Sequence, residues 1–454
     1  MSGFLTSLSA FIFAIGVLIA FHEFGHYWVA RRCGVKVLRY SIGFGKPLWM
    51  RRSGADQTEY VIAAIPLGGY VKMLDEREGE VPENEVHRAF NRQPVSKRIA
   101  IVSAGPVFNF LFAIFAYALM YVVGVPGIKP VIGDVKEQSI AYNSNIHTND
   151  EIIAVDGEIT PTWGSARMAM LRSALQNDQI ELEMQDPAKN RYRVALPVGA
   201  ISTENKQSRL MEELGFAPYR PLIPAVMGKL SSGGAAERDG LLTGDKILAA
   251  DGREIRDWED WVSIVRDSPQ KKLQVTIQRK GEVRQIGLTP EAIETDTGVI
   301  GRIGALPEPA DYPKELQTVL SHAPGAAVYT AIVKTWQMSV LTLQMIGNML
   351  IGEVSVKNLS GPITIATYAG YTASEGLPTF LSFLAIVSIS LGVLNLLPIP
   401  LLDGGHLLIY FIEAVKGSAL SEEIQLRMQH VGIVMLGILM MLAFYNDIQR
   451  LIWG

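Results

Sequence analysis

The sequence His22-Glu23-Phe24-Gly25-His26 lies inside an apolar run over residues 4–30 that contains no lysine or arginine. The run is long enough to cross about 30 Å of hydrocarbon as a helix. Two histidines four residues apart lie on one face of a helix and can bind one zinc ion, while the intervening glutamate is placed to act on metal-bound water. Ionisable side chains are costly inside a membrane and indicate function there. We therefore predict that residues 1–30 form a transmembrane helix that carries a zinc site.

Three further apolar stretches predict the remaining membrane spans, at residues 99–125, 377–397 and 424–445. The loop between the first two spans, residues 31–98, contains 13 lysines and arginines, clustered near both helix ends. Positive charge favours the cytoplasmic side. This loop is therefore predicted to be cytoplasmic and the N-terminus to lie outside.

The composition agrees with a membrane protein. Hydrophobic residues make up 48% of the 454 residues and charged residues 19%, against about 25% charged residues in soluble domains. The net charge of −4 gives no indication of nucleic-acid binding. The single cysteine, Cys33, excludes an intramolecular disulfide and a cysteine-based zinc site. A metal would need histidine and carboxylate ligands.

The third predicted span leads into Asn395-Leu-Leu-Pro-Ile-Pro-Leu-Leu-Asp403-Gly-Gly-His406, within a segment that we assign with the following cytoplasmic loop to residues 398–423. The prolines end the helix, and Asp403 follows in an apolar setting where an unpaired carboxylate would be costly. Catalytic zinc takes three protein ligands and leaves one position open. Asp403 is the favoured third ligand, and His406 competes with it unless its role is structural.

An internal repeat lies between the second and third spans. A shift of 95 aligns residues 145–163 with 240–258, with seven of nineteen positions identical. The second copy resembles the PDZ signature, and we predict two α+β PDZ domains, at residues 127–220 and 221–309. Such domains bind an extended chain by strand addition. The candidate groove residues are Leu214, Gly215 and Phe216 in the first copy and Ile300 and Gly301 in the second. The alternative is that they are ordinary strand and turn residues.

Residues 310–376 are predicted to form an amphipathic helical segment on the outer side of the membrane. Its apolar part, residues 326–351, contains Lys334 and several amides, and its periodicity alone leaves a further membrane crossing open. The number of membrane crossings argues against a span at residues 326–351. A fifth span before residue 377 would bring Asp403 to the membrane face opposite His22.

The pair of motifs, HExxH in the first span and the distant Asn395 to Gly404 sequence, resembles the site-2 protease family of intramembrane zinc metallopeptidases. The resemblance covers nearly the whole chain. It implies zinc ligands His22, His26 and Asp403, the catalytic base Glu23, and a role for Asn395 in holding substrate or its oxyanion. It also implies a single-span substrate of the anti-sigma-factor type, already trimmed by another protease, and remnant signal peptides.

By the same resemblance the protein lies in the bilayer of the bacterial inner membrane. The resemblance implies that the PDZ domains are on the periplasmic side and that the zinc site is toward the cytoplasm. The expected fold is a polytopic α-helical membrane protein with four transmembrane helices, a membrane-dipping β-hairpin and two inserted α+β PDZ domains. Two other classes remain to be separated from a protease: a membrane transporter of ions, and a catalytically silent PDZ scaffold.

The predicted hairpin lies at residues 60–73, where two apolar runs flank Pro66-Leu67-Gly68-Gly69. An exposed hairpin edge could pair with an unwound substrate, which makes Gly68, Gly69 and Tyr70 candidate substrate-binding residues. Gly43-Phe44-Gly45 resembles a second loop of the family at the cytoplasmic side of the site. The alternative for both segments is simple packing against the helices.

Overall fold

The computed structural model describes residues 2–202, 209–295, 298–308, 313–352, 355, 359–418 and 420–453. The chain forms two compact units. The first consists of Met1–Val125 with Leu320–Gly454, and the second of Pro126–Val319. The predicted domain boundary at residues 309 and 310 lies outside the described residues.

The first unit contains the longest helices and the two longest strands, and the second unit contains short strands and shorter helices. The helices are α1 (Ser2–Arg32), α2 (Val95–Val123), α3 (Ile140–Asn143), α4 (Trp163–Gln176), α5 (Leu210–Leu214), α6 (Ala235–Arg238), α7 (Trp258–Arg266), α8 (Pro324–Leu350), α9 (Pro362–Ser374), α10 (Leu377–Leu396), α11 (Asp403–Lys416) and α12 (Glu422–Trp453). The strands are β1 (Val37–Ser53), β2 (Thr58–Met73), β3 (Val125–Ile128), β4 (Ile132–Val135), β5 (Glu151–Val155), β6 (Glu158–Ile159), β7 (Gln179–Gln185), β8 (Arg191–Pro197), β9 (Phe216–Pro218), β10 (Met227–Leu230), β11 (Lys246–Ala250), β12 (Arg253–Glu254), β13 (Leu273–Arg279), β14 (Glu282–Leu288), β15 (Glu291–Thr295), β16 (Gly298–Arg302), β17 (Ala305–Pro307) and β18 (Gln317–Leu320).

Among the described residues, four helices are long and apolar enough to cross a membrane. They are Phe4–Arg32, Val95–Val123, Leu377–Leu396 and Glu423–Ile452. All four spans expected from the sequence are present. The second begins four residues earlier than expected, and the last extends well beyond residue 445. Helix α8 does not belong to this set.

The helices of the first unit pack around a shared apolar core. Leu18 of α1, Tyr117 of α2, Ala331 of α8 and Ala385 of α10 are almost completely buried in it. Helix α8 thus contributes one face to the bundle, while its Trp336 remains 71% exposed. The segment expected as one amphipathic stretch, residues 310–376, contains two described helices, α8 and α9, after strand β18.

The cytoplasmic loop predicted from the sequence folds into a sheet in which β2 pairs with β1 over most of its length. The turn at residues 54–57 joins them, because Ser53 is paired with Thr58. Both ends of β2 also return to the start of β1: residues 59–62 and residues 69–72 are each in register with residues 39–42. The expectation of a self-contained hairpin at residues 60–73 was therefore wrong. The two apolar runs share β1 between them rather than pairing with each other.

The second unit contains two modules with the same order of elements. One has a sheet in the order β6-β5-β7-β8 with α4, and the other a sheet in the order β12-β11-β13-β14 with α7. Each has its own buried core. The repeated aspartates have equivalent positions with different partners. Asp150 accepts hydrogen bonds from the His147 N–H and the Tyr192 hydroxyl, and Asp245 from the Leu242 N–H and the Arg279 guanidinium.

The structure places the candidate groove residues of the two modules at different positions. Gly215 has a φ of +79° beside Ser139 and precedes β9, which pairs with β4. In the second module the same arrangement belongs to Gly304, with a φ of +70°, which precedes β17 paired with β10. Ile300 and Gly301 lie instead in β16, paired with β15. The position equivalent to Gly215 is therefore Gly304, and the choice of Gly301 is corrected.

Candidate metal centre

Helix α1 brings its two histidines together at the level of the glutamate between them. The Nε2 atoms of His22 and His26 are 3.3 Å apart, and both Glu23 and His26 are 8% exposed. Asp403 is the first residue of α11, and its Oδ2 lies 3.3 Å from His22 Nε2 and 3.5 Å from His26 Nε2. Residues almost 400 positions apart therefore form one compact triangle of potential metal ligands.

The triangle has the dimensions that zinc requires. Tetrahedral zinc with bonds of about 2.0–2.1 Å to nitrogen and oxygen has ligand atoms roughly 3.3–3.4 Å apart. The three measured edges lie at or close to this value. Asp403 Oδ2 is also buried without a hydrogen-bond partner among the described residues, which is costly for a carboxylate oxygen unless a cation binds it. The donor set therefore fits zinc.

Two glycines after Asp403 explain how the carboxylate reaches the histidines. A Cβ atom on Gly404 would overlap the Leu397 carbonyl, and one on Gly405 would lie 2.5 Å from the Ile399 oxygen. The proline-containing loop can therefore fold tightly onto the first turn of α11. Burial raises the pKa of Asp403, but the contacts with His22 and His26 outweigh burial and hold that pKa below its ordinary value. The carboxylate is thus kept in the form that binds metal.

Helix α2 fixes the orientation of both histidine rings. The Nδ1–H of His26 donates to the Ile101 carbonyl oxygen at 2.8 Å, which leaves the Nε2 lone pair directed at the triangle. The amide of Asn109 contacts His22 Nδ1 at 3.1 Å through its nitrogen. Its fully buried oxygen has no hydrogen-bond partner in the described part of the chain. Exchanging the amide oxygen and nitrogen lets Asn109 accept from His22 Nδ1–H. Asn109 therefore acts as a positioning residue.

Gly105 on the same helix provides the space for the rings. A Cβ atom at this position would overlap His26 Nε2 and lie 2.7 Å from His22 Cε1. Gly25 has the converse role on α1, because its Cβ would overlap the backbone of Ala104. The two helices thus cross at two glycines. The spacing of four residues places Gly105 and Asn109 on one helix face, but the sequence alone does not show that this face meets the histidines.

Glu23 and Asn395 border the triangle from different elements. A cavity of about 790 Å³ contains the triangle, Glu23, Asn395 and the strand residues Gly69 and Tyr70 in its lining. The Asn395 amide nitrogen lies 3.5 Å from His22 Nε2. Strand β2 approaches through Gly69, where a Cβ atom would lie 2.8 Å from Glu23 Cγ. This close approach requires a glycine.

Of the other residues predicted to bind substrate, Gly43, Phe44, Gly45 and Gly68 do not belong to the lining of this cavity. Phe44 stacks on Tyr70 with the ring centroids 6.1 Å apart, and Gly68 allows the Phe44 ring to approach. Gly43 and Gly45 are on β1, both with positive φ. His406 lines the cavity but does not belong to the group of potential ligands found among the described residues. Burial lowers the pKa of His406.

Comparison with known proteins agrees with this geometry. Residues 10–439 match the sequence profile of peptidase family M50. The chain is 44% identical over 451 residues to the regulator of sigma-E protease RseP of Escherichia coli K12, covering 99% of this chain and all of that protein. It is 44% identical over 453 residues to protease RseP of Yersinia pestis, with the same coverage. It is 42% identical over 460 residues to a Vibrio cholerae protein named "Putative zinc metalloprotease", again with the same coverage.

Both the match over residues 10–439 and the assembled histidine and aspartate triangle lead to the same assignment. The four apolar helices add that the enzyme is built to cross a membrane several times. The chain belongs to peptidase family M50 and is a metalloprotease of the site-2 type.

Proposed function

We propose that this protease hydrolyses a peptide bond within the transmembrane segment of single-span membrane proteins. His22, His26 and Asp403 hold the zinc, and Glu23 is the general base. The observation that carries the proposal is the ligand triangle beside Glu23, at a helix that is itself long and apolar enough to span the membrane. When bound, zinc polarises the scissile carbonyl and lowers the pKa of water.

The residues around the triangle supply the other catalytic and positioning roles. Glu23 accepts a proton from the attacking water and delivers it to the leaving nitrogen. The amide of Asn395, close to His22, donates a hydrogen bond to the carbonyl oxygen of the bound chain. Asn109 and Ile101 keep the histidine rings oriented throughout. Each of these groups is held by a helix or by a short loop next to one.

Strand β2 offers partners for the substrate backbone. A helical membrane segment satisfies its own hydrogen bonds, so its peptide groups need new partners when it unwinds. Residues 69–72 pair with β1 along one edge, and no strand pairs with the other edge in the described parts of the chain. Gly69, Tyr70, Val71 and Met73 line the cavity. We infer that the substrate adds as a strand to this free edge, in a sheet that dips into the membrane.

The second unit is inserted in the chain between the second and third spans, and we assign its two modules to the PDZ type. Their bulk supports a role in excluding substrates that retain a large outer domain. The relatives named regulator of sigma-E protease favour a trimmed anti-sigma factor as substrate, with remnant signal peptides as a second class. Replacing residues 127–309 by a short linker should let the enzyme cut an untrimmed substrate. A folded, zinc-loaded deletion variant that still requires trimming would contradict the filter.

The proposed orientation places the zinc side toward the cytoplasm of a bacterial inner membrane. A cysteine introduced at Gly352 in a variant lacking Cys33 should react with a membrane-impermeant thiol reagent added outside intact cells. A cysteine introduced at Ser53 should react only after the cells are opened. The reverse labelling pattern would contradict the orientation.

The experiment that tests the activity uses purified protein and a single-span reporter protein in detergent or vesicles. Cleavage within the reporter's apolar segment should stop when a zinc chelator is added and return with zinc. His22→Ala and Asp403→Ala should not cleave and should lose the metal. An ion transporter would show chelator-sensitive flux without cleavage, and a silent scaffold would show neither.

A further inference from the structure

Helix α11 is fixed at both ends. Its first residue is Asp403, and near its last turn the carboxylate of Glu413 forms an ion pair with Arg98 of α2, at 3.0 Å. The Glu413 side chain is 4% exposed and that of Arg98 13%. The other carboxylate oxygen of Glu413 accepts a hydrogen bond from the Leu420 N–H at 3.1 Å. The pair therefore joins α11, α2 and the chain that follows α11.

An aromatic ring secures the cation of this pair. The guanidinium carbon of Arg98 lies 4.7 Å from the ring centroid of Tyr410, one helical turn before Glu413. Phe90 also contacts Tyr410, with the two ring centroids 6.3 Å apart. Such contacts fix both the rotation and the height of α11 relative to α2. A salt bridge this buried adds little net stability, because desolvation offsets the attraction.

Helix α2 is the common support of all three proposed zinc ligands. Gly105 and Asn109 position the two histidines, while Arg98, about two turns before Gly105, holds the helix that carries Asp403. Ten residues separate Asp403 from Glu413, or about 15 Å of helix. A tilt of about 5° over that length displaces one end relative to the other by roughly 1.3 Å, beyond the ~0.5 Å that a working site tolerates.

We propose that Arg98 and Glu413 are positioning residues for the metal centre, which hold α11 in the orientation that brings Asp403 to His22 and His26. The inference rests on the proposed ligand set. A contact that only stabilises the fold would change the unfolding temperature and leave the environment of a bound metal unchanged. The two roles therefore differ in the spectrum of the folded, metal-loaded protein.

The test uses the full-length protein in detergent, loaded with Co²⁺, whose visible bands report ligand number and geometry. Glu413→Gln keeps the size of the side chain and removes its charge, and Arg98→Lys keeps the charge and removes the forked head. The matched control is Glu85→Gln, which breaks the ion pair of Glu85 with Lys36, two residues that belong to neither α2 nor α11. Asp403→Ala reports on the ligand set itself.

We expect Glu413→Gln to change the cobalt bands and to release the metal to a chelator about tenfold faster than wild type. Arg98→Lys should have a smaller effect in the same direction, and Glu85→Gln should match wild type. Wild-type bands and release rates in folded Glu413→Gln and Arg98→Lys, with altered bands in Asp403→Ala, would overturn this proposal alone. Wild-type bands in Asp403→Ala would overturn the ligand set and this proposal with it.

Discussion

Replacing Gly105 by alanine adds one methyl group at the point where α2 faces the two histidine rings. The new Cβ atom would lie 2.7 Å from His22 Cε1 and closer still to His26 Nε2. Non-bonded carbon atoms settle at about 3.5 Å or more, so His22 has to move by about 0.8 Å and His26 by more. Neither ring can retreat freely, because Asn109 and the Ile101 carbonyl hold their far nitrogens.

A displacement of this size exceeds the ~0.5 Å tolerance of a metal site. We expect Gly105→Ala to weaken zinc binding by roughly 100-fold, at the upper end of the effects known for residues that orient metal ligands. The helix itself should not suffer, since alanine favours helix over glycine by about 1 kcal/mol. The unfolding temperature of the same sample separates a loss of metal binding from a loss of stability caused by the tighter packing.

The assay measures zinc retained per chain after dialysis against chelators of graded affinity, together with the thermal unfolding temperature. Gly16→Ala is the matched control on α1, because a Cβ atom there would contact nothing within 4 Å. It should bind zinc as wild type does. Wild-type zinc affinity in Gly105→Ala would refute the proposed packing of α2 against the ligands.

Three further predictions concern single side chains. Asn109→Ala should weaken zinc binding by about tenfold or more, measured by chelator competition, because His22 loses the partner that orients its ring; unchanged affinity would contradict that role. Asp245→Asn should destabilise the second unit by about 3 kcal/mol in denaturant unfolding, since Arg279 loses its carboxylate partner. Burial raises the pKa of Asp245, but Arg279 outweighs burial and lowers that pKa below 3.8. The loss of stability in the variant should therefore be complete above about pH 5 and become smaller as the pH falls below 3.8. A loss of stability that does not depend on pH would contradict this. Asp447→Ala should cost about 1–2 kcal/mol in unfolding, because the Asp447 carboxylate accepts the free N–H groups at the start of α9; an unchanged unfolding temperature would exclude this capping contribution.

The parts of the fold carried by local patterns could be predicted from the sequence. Long apolar runs located the four spans to within a few residues at most ends, because crossing a membrane sets a length that few other structures need. The C-terminal end of α12 was missed, since Asn446 and Asp447 interrupt the apolar run. Both are buried, and Asp447 binds the start of α9. That partner lies more than 80 residues away and leaves no local signal.

Strand pairing between distant parts of the chain was harder to predict. The apolar runs of residues 60–73 indicated strands, but the sequence could not show that both pair with residues 39–42. The repeat also changes its offset. Residues 135 and 230 correspond at a shift of 95, whereas Phe216 and Ala305 correspond at a shift of 89. The largest part of this change arises at the turn between β13 and β14, which is three residues shorter than the turn between β7 and β8. Ile300 and Gly301 match an apolar residue followed by glycine, but only the strand pairing shows that the position equivalent to Gly215 is Gly304.

In the candidate site, too, some residues could be predicted from the sequence and others could not. The HExxH spacing and the regular geometry of a helix were enough to pair His22 with His26. The energetic cost of an unpaired carboxylate in an apolar setting indicated Asp403. The supporting residues Gly105 and Asn109 could not be assigned, because their function depends on where α2 crosses α1. Only the crossing reveals that one makes space for the rings and the other contacts the ring of His22.

Glu23→Gln shows whether Glu23 performs the proton transfer at a zinc site formed by His22, His26 and Asp403. The decisive measurement combines zinc content and reporter cleavage on the same purified sample. Glu23→Gln should retain one zinc per chain and cleave at least 100-fold more slowly than wild type, the lower range expected for loss of a general base. Cleavage at the wild-type rate by zinc-loaded Glu23→Gln would contradict the role of Glu23 as the general base.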